Sequence, residues 1–157
     1  MIPTNLTAWM ELRRVAEEEA KRVLAEAVAA LERAEAEQTR LQRMVEEAER
    51  AVARNKRGVP VDAAEGLARE RFQQRLRSQR DRARDLAVRH REGALKRAQE
   101  AERTAAEAFR QAAVERQAAE RLIERLKAEH RTRQERRNER RDEEWVDASH
   151  HHKPRRS

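Results

Sequence analysis

The sequence predicts an all-α protein: a long antiparallel two-helix coiled-coil hairpin with an extended C-terminal helix. Three observations carry that expectation. Strong helix formers (Ala, Arg, Glu, Leu and Gln) dominate the 157 residues, which contain only three Gly, three Pro and no Cys. Apolar residues recur at alternating spacings of three and four, a regularity that a disordered chain does not need. One credible backbone break, Arg57-Gly58-Val59-Pro60, separates two long proline-free runs. Gly admits left-handed angles, and Pro removes a donor and blocks a continuing helix.

The elements follow in order. Residues 1–6 form an N-terminal cap or tail, and the first long helix spans 7–56. Asn5 or Thr7 supplies an oxygen for an orphan N–H, and Glu11 and Glu17 to Glu19 place negative charge near the positive end of the dipole. The predicted seam is Ala20, Val23, Ala27, Ala30, Ala34, Glu37, Leu41, Met44, Ala48 and Ala51, widened by Leu24, Val28, Leu31, Val45 and Val52. The bend occupies 57–61. The second, longer helix spans 62–144 and opens on a capping box, Asp62-Ala-Ala-Glu65, directly after Pro60. Its seam reads Ala94, Ala98, Ala101, Ala105, Ala108, Ala112, Glu115, Ala119, Leu122 and Leu126. Gly93 costs about 1 kcal/mol relative to Ala in a helix interior. Residues 145–157 are expected to be a disordered tail.

A short connection makes the two helices antiparallel. The first is about 75 Å long and the second about 125 Å, at the usual rise per residue. Pairing outward from the bend sets Met44 near Leu76, Ala30 near His90, and Trp9 near Phe109 to Ala113. Val114, Ala118, Ala119, Leu122, Ile123 and Leu126 then have no partner in the chain, and an apolar stripe on an unpaired helix is open to another protein. In the competing arrangement residues 62–78 fold separately, shift the pairing and close the overhang. From Glu129 to Arg141 apolar residues almost vanish. Arg133, Arg136, Arg137, Arg140 and Arg141 alternate with Glu135 and Glu139, either as a solvated single helix or as an arm that pairs with acidic groups of a partner.

Charge is unevenly placed. The net charge is +7, and residues 67–98, with 11 basic against 4 acidic side chains, carry a local +7 beside the bend. The longest apolar run, Ala27 to Leu31, is far short of a membrane span of about 20 residues. Met1 to Thr7 lacks the features of a secretory signal. No Cys means no disulfide and no thiolate zinc site, as suits a reducing, cytoplasmic setting. There is no glycine-rich phosphate loop. His150-His151-His152 offers no fixed geometry for a metal, and a two-helix pair offers no water-excluded cleft to raise a carboxylate's pKa. No enzyme, cofactor or metal is expected.

The layout resembles the FliJ/YscO family, the small helical stalk proteins of flagellar and type III secretion export. The similarity rests on Trp9-Met-Glu-Leu-Arg-Arg-Val-Ala-Glu-Glu-Glu-Ala20, on Phe72-Gln-Gln-Arg-Leu76 after the bend, and on Glu115-Arg-Gln-Ala-Ala-Glu-Arg-Leu-Ile-Glu-Arg-Leu-Lys127. Gln134-Glu-Arg-Arg-Asn-Glu-Arg-Arg-Asp-Glu-Glu144 then supplies a similar Arg/Glu-rich ending. The resemblance implies a central stalk that couples an export ATPase hexamer to the cytoplasmic domain of an export-gate membrane protein, at the inner membrane. Some members also handle export chaperones. It implies ATPase-ring contacts by Leu122, Ile123, Leu126, Arg133, Arg136, Arg137 and Arg140, and export-gate contacts by Arg69, Arg71, Phe72, Arg75 and Leu76. No specific nucleic acid and no membrane insertion are implied. The alternative class is a basic coiled-coil scaffold or a nucleic-acid-associated structural rod. Against nucleic acid stand the few aromatics and the interleaved acids.

Overall fold

The computed structural model describes residues 4–55 and 58–151, and among these it is all-α. Helix α1 spans Thr4–Arg54. Helix α2 spans Ala63–His90, a π-helical turn covers Arg91–Leu95, and α3 runs over Lys96–His151. His90, Arg91 and Lys96 all keep right-handed helical angles, so α2, the π turn and α3 follow one another without a break. The predicted disordered tail from Trp145 is corrected: α3 continues through Trp145 to His151. His152 to Ser157, and with them part of that predicted tail, lie outside the described residues, as do the first three residues and Lys56 and Arg57 of the bend.

The chain divides into two compact units, residues 20–108 and residues 1–19 with 109–157. In the first, α1 and α2 run antiparallel. Asn55 accepts from Gln73 at 3.0 Å, Glu49 from Arg84 at 2.6 Å, and Gln38 meets His90 at 2.9 Å. Leu41, Val45, Ala83 and Ala87 form its buried cluster. In the second unit Arg13 bonds Glu115, and Glu17 bonds Arg116.

Burial along α1 and into Asn55 follows a repeat. Met10, Arg13, Glu17, Ala20, Leu24, Ala27, Leu31, Ala34, Gln38, Leu41, Val45, Ala48, Val52 and Asn55 are all buried or half-buried, at alternating steps of three and four. This is the 3.5-residue repeat of a helix that keeps one face on a partner. Of the expected seam, Ala20, Ala27, Ala30, Ala34, Glu37, Leu41, Ala48 and Ala51 are buried or half-buried, as are the widening residues Leu24, Leu31, Val45 and Val52. Val23 and Met44 are exposed, and their places are taken by Leu24 and Val45. Gln38, next to the expected Glu37, adds a second half-buried polar residue through its contact with His90.

The pairing register also differs. His90 meets Gln38 where Ala30 was expected. The connection is the cause, because it doubles back along α2 before the helices begin to pair. A Cβ on Gly58 would lie 3.1 Å from the Arg69 guanidinium, and one on Gly66 would lie 3.7 Å from Pro60. Gln73, well inside α2, is therefore the residue that faces Asn55 at the end of α1. The first turns of α2 serve the connection, which slides the partner by about two helical turns.

The π turn settles a phase problem. Along α2 the inward positions are Arg69, Gln73, Leu76, Arg80, Ala83, Ala87, His90 and Ala94, again in steps of four and three. They continue as Ala98, Glu102 and Ala105, so three steps of four fall in succession. One surplus residue has entered the repeat. A π turn closes on i+5 and accommodates one extra residue, and it lies at Arg91–Leu95. The expected seam positions Ala101 and Ala108 fall on the exposed side for this reason.

Two glycines make opposite demands. Gly58 has φ +121°, a conformation that L side chains rarely adopt, and its Cβ would crowd Arg69. Gly93 has open helical space, with only the end of Arg97 nearby at 3.7 Å. Gly58→Ala should destabilise the protein by about 1–3 kcal/mol, and Gly93→Ala should stabilise it by up to about 1 kcal/mol. Thermal melts that shift both variants in the same direction would refute this assignment.

Candidate functional site

Two surfaces carry the residues singled out by sequence. The first is the connection and the start of α2. Asp62 is extended, at φ −145° and ψ 174°, and its carboxylate accepts from the Glu65 amide at 2.7 Å. Glu65 accepts in turn from the Val61 amide at 2.8 Å and from Arg69 at 2.6 Å. The reciprocal cap is thus one residue wider than the sequence pattern implies, reaching Val61. The Val61 amide, with the Arg69 guanidinium beside it, holds the Glu65 carboxyl below its ordinary value.

Of the five residues assigned to this end, Arg69 is committed to Glu65. Arg71 is exposed. Phe72 is 47% exposed, with the Arg75 guanidinium over its ring at 5.8 Å. Leu76 points the other way, lining a small cleft with Val52, Gln73 and Arg77. Phe72 and Leu76 therefore do not form one outward pair. Sequence reading missed the aliphatic side chains of this end: Val59 and Val61 are 88% and 90% exposed, and Leu67 is also exposed. Their signal was present, because three aliphatic residues stand within nine positions and fit no three–four repeat.

The second surface is the unit that holds the start of α1 and most of α3. Here Arg116 is shared between Glu120 at 2.7 Å and Glu17, and both raise its already high basicity. Ala119 is fully buried, at 0% exposure, and Met10 is buried too. A surface cleft of about 360 Å³ is lined by Thr7, Met10, Glu11 and Arg14 of α1 and by Glu120, Ile123, Glu124 and Lys127 of α3. The inward positions of α3 in this unit are Phe109, Ala112, Arg116, Ala119, Ile123 and Leu126.

This geometry corrects the expected overhang. Ala119 is buried and Ile123 and Leu126 are half-buried, so the first helix does reach this stretch, and only Val114, Ala118 and Leu122 lie on the exposed side. The reason lies within this unit, where Thr7, Met10, Glu11 and Arg14 line one cleft with Ile123. Exposure on every side begins one residue later, at Lys127, and continues through Ala148. Arg133, Arg136, Arg137 and Arg140 all lie in this exposed stretch, and Arg133 reaches Glu129 at 3.7 Å. Among the described residues no group of three or more His, Cys, Asp or Glu is placed to hold a metal ion. Among the described residues no helix is long and apolar enough to cross a membrane.

The chain matches no family model, no curated protein and no solved structure.

Two measurements test these surfaces. Ile123→Ala with Leu126→Ala should lower stability by about 2–5 kcal/mol if the site is internal packing, whereas Leu122→Ala should cost far less. Equal melts for the three would restore the overhang. The Glu65 contribution should be fully present above the unfolded value near 4.5 and should be lost as pH falls through the lowered folded value. Glu65→Gln should flatten that part of the pH–stability curve, and an unchanged acid limb would remove the cap from the account.

Proposed function

We propose that this chain is a non-enzymatic central stalk of a bacterial flagellar or type III export ATPase, built as an antiparallel coiled-coil hairpin with an extended C-terminal helix. The observation that carries the reading is the stretch from Lys127 to Ala148. It is helical, exposed on every side and rich in Arg and Glu. A helix with no apolar face gains little from packing within its own chain, and its guanidinium groups are suited to pair with carboxylates of a partner. The same stretch bears the resemblance to the Arg/Glu-rich ending of the stalk family.

In this reading Arg133, Arg136, Arg137 and Arg140 contact the ATPase hexamer, with the exposed Leu122 at their base. Ile123 and Leu126 hold the arm to the first helix. Arg71, Phe72 and Arg75 contact the cytoplasmic domain of the export gate, and export chaperones are further partners. The protein acts in the cytoplasm beside the inner-membrane export apparatus. It contributes shape and contacts, and the ATPase supplies the chemistry.

The test pairs melting with enzyme stimulation. Arg133→Glu with Arg137→Glu should leave the melt unchanged, because both side chains are exposed. The same variant should raise the concentration needed for half-maximal stimulation of a purified export ATPase by at least about tenfold. Undiminished stimulation would sink the arm contact.

A further inference from the structure

The connection end combines exposed aliphatic side chains with arginines that have no counter-charge. Val59 and Val61 are almost fully exposed in the connection, and Leu67 is exposed one turn into α2. Leu67, Arg71, Arg75, Arg82 and Arg89 follow at spacings of four and seven, which places them on the face of α2 turned away from its inward positions. Arg89 pairs with Asp85 at 2.8 Å. Arg71, Arg75 and Arg82 form no ion pair among the described residues, and neither does Arg77 on the neighbouring stripe. The acids nearby are largely occupied: Asp62 caps α2, Glu65 holds Arg69, Asp81 holds Arg80, and only Glu70 stands without a pair.

We propose that this end docks on an anionic lipid bilayer, with Val59, Val61 and Leu67 entering the headgroup boundary and Arg71, Arg75 and Arg82 lying against lipid phosphates. The chemistry favours a bilayer over the other polyanion, nucleic acid. Arginine would serve either, but aliphatic side chains exposed to nearly their full extent gain nothing from a sugar–phosphate backbone. They gain burial at the acyl boundary, and arginine stems can lie along that boundary with their charged ends in the headgroups. Unpaired cations near an anionic surface each add to binding, and the attraction fades within a Debye length, so the contact should be salt-sensitive. The surface shares Arg71 and Arg75 with the gate contact proposed above, but the inference does not rest on that reading, since its readout is lipid binding with no protein partner present.

The experiment is co-sedimentation of the full chain with vesicles of phosphatidylcholine alone, and of phosphatidylcholine with phosphatidylglycerol in equal parts. The expected result is binding to the mixed vesicles, little binding to the neutral ones, and weakening at high salt. Val59→Asp with Val61→Asp, and separately Arg71→Glu with Arg82→Glu, should each reduce the partition coefficient by about tenfold or more. These positions are exposed, and a circular dichroism melt for each variant should match the parent chain. Equal binding to both vesicle types, or no binding by the parent chain, overturns the proposal. So does random duplex DNA that binds the parent chain and displaces the mixed vesicles, with binding unaffected by the valine substitutions.

Discussion

The one-sided repeat of α1 is the constraint on which the rest depends. Thirteen successive inward positions of α1 alternate by three and four residues, so in each of the two units one narrow face meets a partner helix. Leu41, Val45, Val52 and Met10 are the larger buried side chains, each contributing about 1.5–3 kcal/mol. The alanines between them contribute less but let the backbones approach closely. Stability is therefore spread thinly along the helices, and no single contact dominates. A face this uniform could slide by one repeat with little apolar loss. The polar members of the seam oppose such a slide. Gln38 must find His90, and Arg13 and Glu17 must find Glu115 and Arg116, so a slipped pairing would leave these groups without partners.

The connection is the second determinant, and it acts through geometry. Gly58, with its positive φ, turns the chain so that it runs back beside α2, where Pro60 lies against Gly66. The cap of Asp62, Glu65 and Val61 then fastens it. Within this unit pairing begins at Gln73, and the contacts of Arg84 with Glu49 and of His90 with Gln38 inherit that offset.

Much of this was legible in the sequence, for reasons that differ by element. Helix and break were readable because Gly and Pro are rare and backbone chemistry acts locally. The cap at Asp62 was readable because its partners lie within four residues. The first helix's seam was readable except at Val23 and Met44, which are exposed. Val23 and Leu24, or Met44 and Val45, are adjacent apolar residues, and periodicity alone does not rank them. Pairing register was not readable, because it depends on the path of a connection whose direction no propensity specifies. The site residues divide along the same line. Arg71 and Phe72 are exposed, whereas Leu76, Ile123 and Leu126 lie on inward faces. Val59, Val61 and Leu67 went unremarked because a search for repeats passes over residues that do not repeat.

The π turn at Arg91–Leu95 has a consequence for descent as well as for structure. In most paired helices a gain of one codon rotates everything downstream by about 100° and carries the apolar face into water. Here the surplus is confined to one wide turn, and Ala98, Glu102 and Ala105 return to the inward side. Gly93 lies inside that turn and meets little there beyond the tip of Arg97. A gene encoding such a helix can differ from its kin by a single triplet without losing the fold. Alignments that forbid a gap within a helix would then place every residue after this turn one position out of step.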